Sequence, residues 1–156
     1  MFAEGKSEMR NEEFLYQIGQ LLDSQKVGVL ATHYKNTPHQ SLIAYIHSES
    51  LRDIFFVTPR YTRKVEAMTS DPRVAFIVDN RQNVEKDFDA CIAVTAKGTV
   101  EELPQHPRPP FLPRYLKRHP YLEEFVISPS CCYYRIRVRS YTLVTGFQRV
   151  EELILE

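Results

Sequence analysis

Apolar residues recur at helical spacing near the start of the chain and in a few short stretches later, and elsewhere they mostly alternate with polar ones. Phe14, Ile18, Leu21 and Leu22 form one stripe, which predicts a helix over Glu12 to Asp23. Asn11 is placed to cap it, with Glu12 and Glu13 in the favourable first turn. A one-sided helix must bury its stripe against another element, here a sheet. Lys26 to Thr32 reads as a strand with Val27, Val29 and Ala31 on one face, while Gly28 lets another backbone approach the other face. His33 to His39 predicts a turn marked by Asn36 and Pro38. Ser41 to His47 is the antiparallel partner, Ser48 to Asp53 the next turn, and Ile54 to Thr58 the third strand.

Pro59 suits a position just after a strand. Thr62 is placed to cap a short helix reaching Met68 or Thr69, with Val65 and Met68 facing the core and Asp71-Pro72 ending it. Arg73 to Asp79 predicts a fourth strand around Val74-Ala75-Phe76-Ile77-Val78. Asn80 to Asp89 is polar and predicts a loop. Ala90 to Leu103 predicts another strand, with Gly98 marking a bulge or bend that helps a barrel close. The stretch from Pro104 to Pro113 holds five prolines and must be irregular. Arg114 to Val126 predicts one or two short helices broken at Pro120. Cys132 to Val144 alternates, with Tyr134, Ile136 and Val138 on one face and Tyr133, Arg135, Arg137 and Arg139 on the other. The sum is about six strands and a few short flanking helices. Few long helical crossovers separate the strands, which favours an antiparallel sheet or barrel over a doubly wound α/β fold. Gly-x-Gly-x-x-Gly is missing, as is a helix after the third strand long enough for a comfortable crossover.

A length of 156 residues is most simply one domain spanning 1–156. Lys plus Arg number 20 and so do Asp plus Glu, and this balance argues against a surface that coats nucleic acid. No stretch is long and apolar enough to cross a membrane, and the first residues lack a signal-peptide core. The cytoplasm is the expected location. Cys91, Cys131 and Cys132 are an odd set with two neighbours adjacent, which is not a disulfide framework. Four-ligand zinc spacing is absent, so no metal site is expected.

Chemistry concentrates where the third strand ends. Thr58, Arg60, Thr62, Arg63 and Lys64 place hydroxyls, two guanidinium forks and an ammonium beside a predicted helix N-terminus. Converging donors of these kinds, with unsatisfied helix amides, suit a phosphate. On charge spacing alone two readings stand, a solvated basic turn and an anion pocket.

The run Phe56-Val57-Thr58-Pro59-Arg60-Tyr61-Thr62-Arg63-Lys64, followed by Ser70-Asp71-Pro72-Arg73-Val74-Ala75-Phe76, resembles the core of the pyridoxamine 5'-phosphate oxidase-like family of FMN-binding split β-barrels. Thr62-Arg63-Lys64 matches the family's hydroxyl-Arg-Lys element, and Asp71-Pro72 stands where Asn-Pro is common. Gly28-Val29-Leu30-Ala31-Thr32 and Pro38-x-x-Ser41 resemble its first hairpin. The likeness covers roughly Phe14 to Asp79, and the rest by strand order. It implies a split β-barrel, a homodimer with flavin near the subunit interface, and FMN as cofactor of an oxidoreductase working with a small-molecule redox partner. It also implies that Arg63 and Lys64 hold the FMN phosphate, with Thr62 donating from its hydroxyl. Thr58 would lie near the phosphate or ribityl chain, and Ser41, Leu42 and Ile43 would line the isoalloxazine, largely through backbone groups. Arg60 is an added local cation by charge alone. The vitamin-B6 oxidases of the family carry C-terminal Arg and Trp elements, and this chain has no tryptophan. That departure argues against true pyridoxamine phosphate oxidation. Neither the substrate nor a catalytic acid or base follows from the residues. A flavin- or haem-binding module with little catalysis is an alternative.

The remaining polar residues carry less. His33, His39 and His47 bracket the first hairpin, where structural or surface roles are expected and one haem ligand is conceivable. Tyr45, His47 and Tyr133 are candidate polar groups for a pocket. Cys131 and Cys132 are expected to be one buried and one exposed, and Cys91 to be core within its strand. Arg135, Arg137 and Arg139 read as a solvated face or as intersubunit salt bridges in a dimer, and less readily as a nucleic-acid surface.

Overall fold

The computed structural model describes residues 2–156, with side chains from Arg10 onward. The elements are α1 (Phe2–Ser24), β1 (Val27–Tyr34), β2 (Thr37–His47), β3 (Asp53–Pro59), α2 (Arg63–Ser70), β4 (Arg73–Asp79), α3 (Asp87–Ala90), β5 (Ile92–Leu103), α4 (Leu112–Arg118), a 3-10 turn (Pro120–Leu122), α5 (Glu123–Ile127), β6 (Cys131–Thr145) and β7 (Arg149–Ile154). The strands run in the order β3-β2-β1-β4-β5-β6-β7, and β3 also pairs with β6. That extra pairing closes six antiparallel strands into a barrel and leaves β7 attached to β6 outside the ring. No helix among the described residues is long and apolar enough to cross a membrane.

Alternation fills the barrel. Leu30, Tyr45, Ile54, Phe56, Phe76, Val78, Val94, Ile136 and Tyr141 are all nearly inaccessible. The α1 stripe of Phe14, Ile18, Leu21 and Leu22 joins the same core. It lies at the end that carries the β2–β3 turn, where the side chain of Leu51 approaches Gly19. Met68 of α2 joins that core from the other end. A second apolar cluster lies outside the wall, where Phe111, Leu112, Tyr115 and Val126 cover Ile46, Val57, Cys131 and Tyr133.

Gly28 permits the close approach expected of it. A Cβ there would overlap the ring of Phe76 and lie 2.8 Å from the carbonyl oxygen of Ile77. Gly98 marks a bulge: Lys97 pairs with Ser140 but Gly98 pairs with Val138, leaving Arg139 as the extra residue. The inward set of β6 therefore shifts from Cys132, Tyr134, Ile136 and Val138 to Tyr141 and Leu143.

Several expectations need correction. Asn11 does not cap α1, which begins nine residues earlier at Phe2, since the upstream Ala, Glu, Lys, Met and Arg residues are good helix formers. The first hairpin turns on Lys35 and Asn36 alone, both at positive φ, the signature of a two-residue hairpin turn. Pro38 accordingly lies within β2, opposite His33. It is tolerated because β2 pairs with β3 only over Tyr45–His47, so its first half is a sheet edge. The polar loop contains the short α3, and β5 starts at Ile92, so Cys91 precedes the strand. Cys91 is buried, as expected of a core residue, though it joins neither of the two apolar clusters. Cys131 and Cys132 are both buried, because α5 covers the outer face that alternation gives to Cys131. Arg135 and Arg137 both reach Glu101, the residue directly across from Arg135, so part of the arginine stripe is spent on cross-strand pairing.

Asp71, which ends α2, accepts from Arg73 at 2.7 Å, and this hydrogen bonding lowers its pKa from 3.8 to about 2. A depressed folded pKa contributes stability above the unfolded value, and that contribution is lost as pH falls through the folded one. Asp71→Asn is therefore expected to be less stable than the parent near pH 5, with the gap closing toward pH 2. Urea melts across that range measure it, and a gap that does not shrink would show that the pair acts through packing instead.

Candidate functional site

The barrel wall opens where β2 and β3 part. Tyr45 pairs with Phe56, but Val57, Thr58 and Pro59 pair only with Tyr133, Cys132 and Cys131 of β6. Ser41 to Ala44 therefore keep β1 on one side and face an opening on the other. Leu42 is 75% exposed and faces outward beside Val29, whereas the Ile43 side chain is buried in the core. Of the three residues expected at a flavin ring, Ile43 can offer only backbone, and Ser41 is half-buried.

Across the opening, β3 delivers the chain into α2. Thr62 has extended backbone and caps the helix: its hydroxyl accepts from the Val65 amide at 3.4 Å, and its carbonyl accepts from Glu66 at 3.2 Å. The same hydroxyl donates to the Pro59 carbonyl at 3.2 Å, so Thr62 is engaged in shaping the turn. Capping leaves the amides of Arg63 and Lys64 at the helix start without intrahelical acceptors. Thr62→Ala is expected to cost about 1 kcal/mol, read as a lowered urea midpoint. An unchanged midpoint would mean that the turn holds the helix start without its hydroxyl.

The charges divide sharply. Arg60 donates to Glu102 of β5 at 2.9 Å, and its amide bonds Ser130 at 2.7 Å. Hydrogen bonding to Glu102 raises its pKa further. Neither Arg63 nor Lys64 lies within ion-pair distance of a carboxylate among the described residues. Arg63 is exposed, and Lys64 is partly buried, with its pKa lowered by desolvation. A half-desolvated ammonium without a counter-ion favours an incoming anion. Thr58 is 1% exposed, and its hydroxyl has no partner among the described residues. The structure thus brings Thr58, Thr62, Arg63 and Lys64 to one end of the barrel, beside the Ser41–Ile43 edge, while Arg60 is held by Glu102.

Other candidates are out of reach. Tyr45 is fully buried and donates to the Leu22 carbonyl at 2.6 Å. Tyr133 is buried and donates to Val126 at 3.0 Å. His47 lies 2.6 Å from Asp23 and 2.7 Å from the Ser48 carbonyl. Among the described residues no cluster of His, Cys, Asp and Glu is arranged to hold a metal.

Two residues near the opening escaped sequence reading. Tyr115 donates to the Ala44 carbonyl at 3.0 Å, and the buried His119 meets the Tyr45 carbonyl at 2.8 Å. Burial lowers the His119 pKa, so its neutral ring donates. Together they position β2 where it leaves β3. Their only signal in the sequence was a spacing of four on a helix, which by itself says nothing about a strand edge.

The family model described as pyridoxamine 5'-phosphate oxidase matches residues 15–136. No curated protein matches. Among solved structures, the fold superposes on a protein related to general stress protein 26 from Clostridium acetobutylicum, with a TM-score of 0.70, 16% identity, and coverage of 92% of this chain and 96% of that one. It superposes on an FAD-binding protein from Mesorhizobium loti with a TM-score of 0.64, 20% identity, and coverage of 83% and 90%. It also superposes on a heme binding protein from Mycobacterium smegmatis, with a TM-score of 0.71, 18% identity and coverage of 86% of this chain, which spans 55% of that protein's length. A family match over most of the chain, on a closed six-stranded barrel that parts beside a capped basic helix, places this protein in the pyridoxamine 5'-phosphate oxidase-like family of split β-barrels.

Proposed function

We propose that the chain binds FMN at the opening between β2 and β3 and serves as a flavoprotein oxidoreductase. The observation that carries this reading is Lys64, a half-buried cation with no carboxylate partner among the described residues, at the start of a Thr62-capped helix. The residues fit the group. Arg63, Lys64 and the first amides of α2 supply donors for a phosphate, and the orphaned Thr58 hydroxyl is a further donor for the chain linking phosphate to ring. The edge from Ser41 to Ile43 supplies backbone groups for the ring. Bound flavin would supply the two-electron chemistry, while the protein binds and orients it. The missing tryptophan sets the substrate apart from that of the vitamin-B6 oxidases.

A second copy of the chain completes the proposal. Val27, Leu42 and Ile77 are 53%, 75% and 36% exposed, and register places them with Val29 on one outer wall. An apolar wall of this kind suits a subunit partner. Sedimentation that returns only monomer at micromolar concentration would remove this part.

The absorbance spectrum of the purified protein, with the released chromophore identified, tests the cofactor. A flavin spectrum with FMN released is the expected result. A haem spectrum would transfer the reading to a haem-binding module, and a colourless protein that fails to take up added FMN would end it.

A further inference from the structure

We propose a second ligand site on the outer wall, for a small amphipathic oxyanion: an apolar body carrying a phosphate or carboxylate. The pairing of β1 with β4 ends at Ala31 and Ala75. Beyond it the strands diverge and a groove of about 460 Å³ opens toward β5 and β6, within the size range of small-molecule sites. Its lining is largely apolar, from Ala31, Ala75, Gly98 and aliphatic stems. It begins one outward pair past Val29 and Ile77, at the edge of the apolar wall offered to a second copy.

Three observations point to the ligand's charge. Lys97 and Arg139 both line the groove, both are exposed, and neither has a carboxylate within ion-pair distance among the described residues. The β6 bulge explains how Arg139 reaches it: the extra residue breaks alternation, so Arg139 and Ser140 line the same groove. Thr32 is 4% exposed, lines the groove, and has a buried hydroxyl without a partner among the described residues. Such a hydroxyl is costly to leave unmatched, and an oxyanion would accept its proton. The other basic side chains lining the groove are Arg73 and His33. Both face Asp71, at 2.7 and 3.9 Å, so that carboxylate is already engaged. The net charge presented to a ligand is positive.

The test uses 1-naphthyl phosphate as probe, with 1-naphthoate and neutral 1-naphthol beside it, titrated against the full chain by calorimetry. Both anions are expected to bind and naphthol to bind weakly, and the stronger anion identifies the head group. Lys97→Glu with Arg139→Glu is expected to weaken the better anion by about tenfold or more, the scale of one lost charged hydrogen bond. Thr32→Val, which keeps side-chain shape, is expected to weaken it a fewfold. Arg63→Ala with Lys64→Ala is expected to leave it unchanged, which separates this groove from the proposed FMN cradle. FMN titrations of the same variants are expected to give the reverse pattern. The site is overturned if the groove variants bind the anions as the parent does, if naphthol binds equally well, or if binding disappears with the Arg63 and Lys64 substitutions. It is also overturned if charge reversal at Lys97 and Arg139 changes the oligomeric state, since the groove would then be a seam between subunits.

Discussion

Replacing Arg63 and Lys64 together by alanine is expected to weaken FMN binding by about 3–5 kcal/mol, a hundredfold to several thousandfold, while riboflavin affinity changes by less than about twofold. Each side chain is assigned a charged hydrogen bond to phosphate, about 1.5–3 kcal/mol, and riboflavin has no phosphate to lose. The two are not equal. Lys64 is partly buried and without a partner, so its charge is poorly solvated before the ligand arrives. Arg63 is exposed, and water competes for its fork. Lys64→Ala alone is therefore expected to account for more than half of the loss. Arg60→Ala is expected to do little, because Glu102 already holds that guanidinium at 2.9 Å. Fluorescence titration with both flavins reads all three variants. Equal losses for FMN and riboflavin would show that these residues shape the fold of the site and do not hold a phosphate.

Gly98→Ala is expected to destabilise the fold by about 3 kcal/mol, the upper end for overpacking. A Cβ at this position would overlap the carbonyl of Arg137 and lie 3.1 Å from Cα of Val138. The obstacle is backbone in the neighbouring strand, which has no rotamer to change. Gly28→Ala provides the contrast. Its Cβ meets the ring of Phe76, which stands edge-on to Tyr45 with centroids 5.0 Å apart. A smaller residue relieves that overlap but not the approach to the Ile77 carbonyl oxygen at 2.8 Å, so Phe76→Leu should restore only part of the stability that Gly28→Ala removes. No second substitution at a side chain should restore Gly98→Ala. Urea unfolding of the four variants distinguishes the cases, and a Gly98→Ala protein as stable as its parent would show that the bulge can relax.

The elements legible in the sequence were those with local causes. Thr62 caps α2 because its hydroxyl reaches the third amide onward, and β4 runs from Arg73 to Asp79 because Pro72 and the polar Asn80 bound an apolar run. The bulge at Gly98 followed from a glycine inside a strand. What escaped depended on partners distant in sequence. Cys131 faces outward by alternation and is buried only because α5, which starts eight residues earlier, folds over it. Pro38 is unremarkable as a turn residue and informative as a strand residue, yet its place in β2 depends on where β3 lets go. Arg60 looked like one more donor for an anion, and Glu102, on a strand forty residues away, takes it. Local chemistry placed the cradle, and only the closed barrel showed which of its charges are free.

The ring closes without its last strand. β7 pairs with β6 alone, so the β3–β6 closure does not run through it, although Leu153 packs against the core. Its loss would uncover one edge of β6 over Ser140 to Thr145 while every ring strand kept both neighbours along its paired length. Amide protons on β7 should therefore exchange through local fraying, and those of Leu30, Phe56 and Ile136 only through global opening. The molecule is, in that sense, a sealed hoop with a detachable latch, and tags or fusions appended after β7 would strain the latch before they strained the hoop.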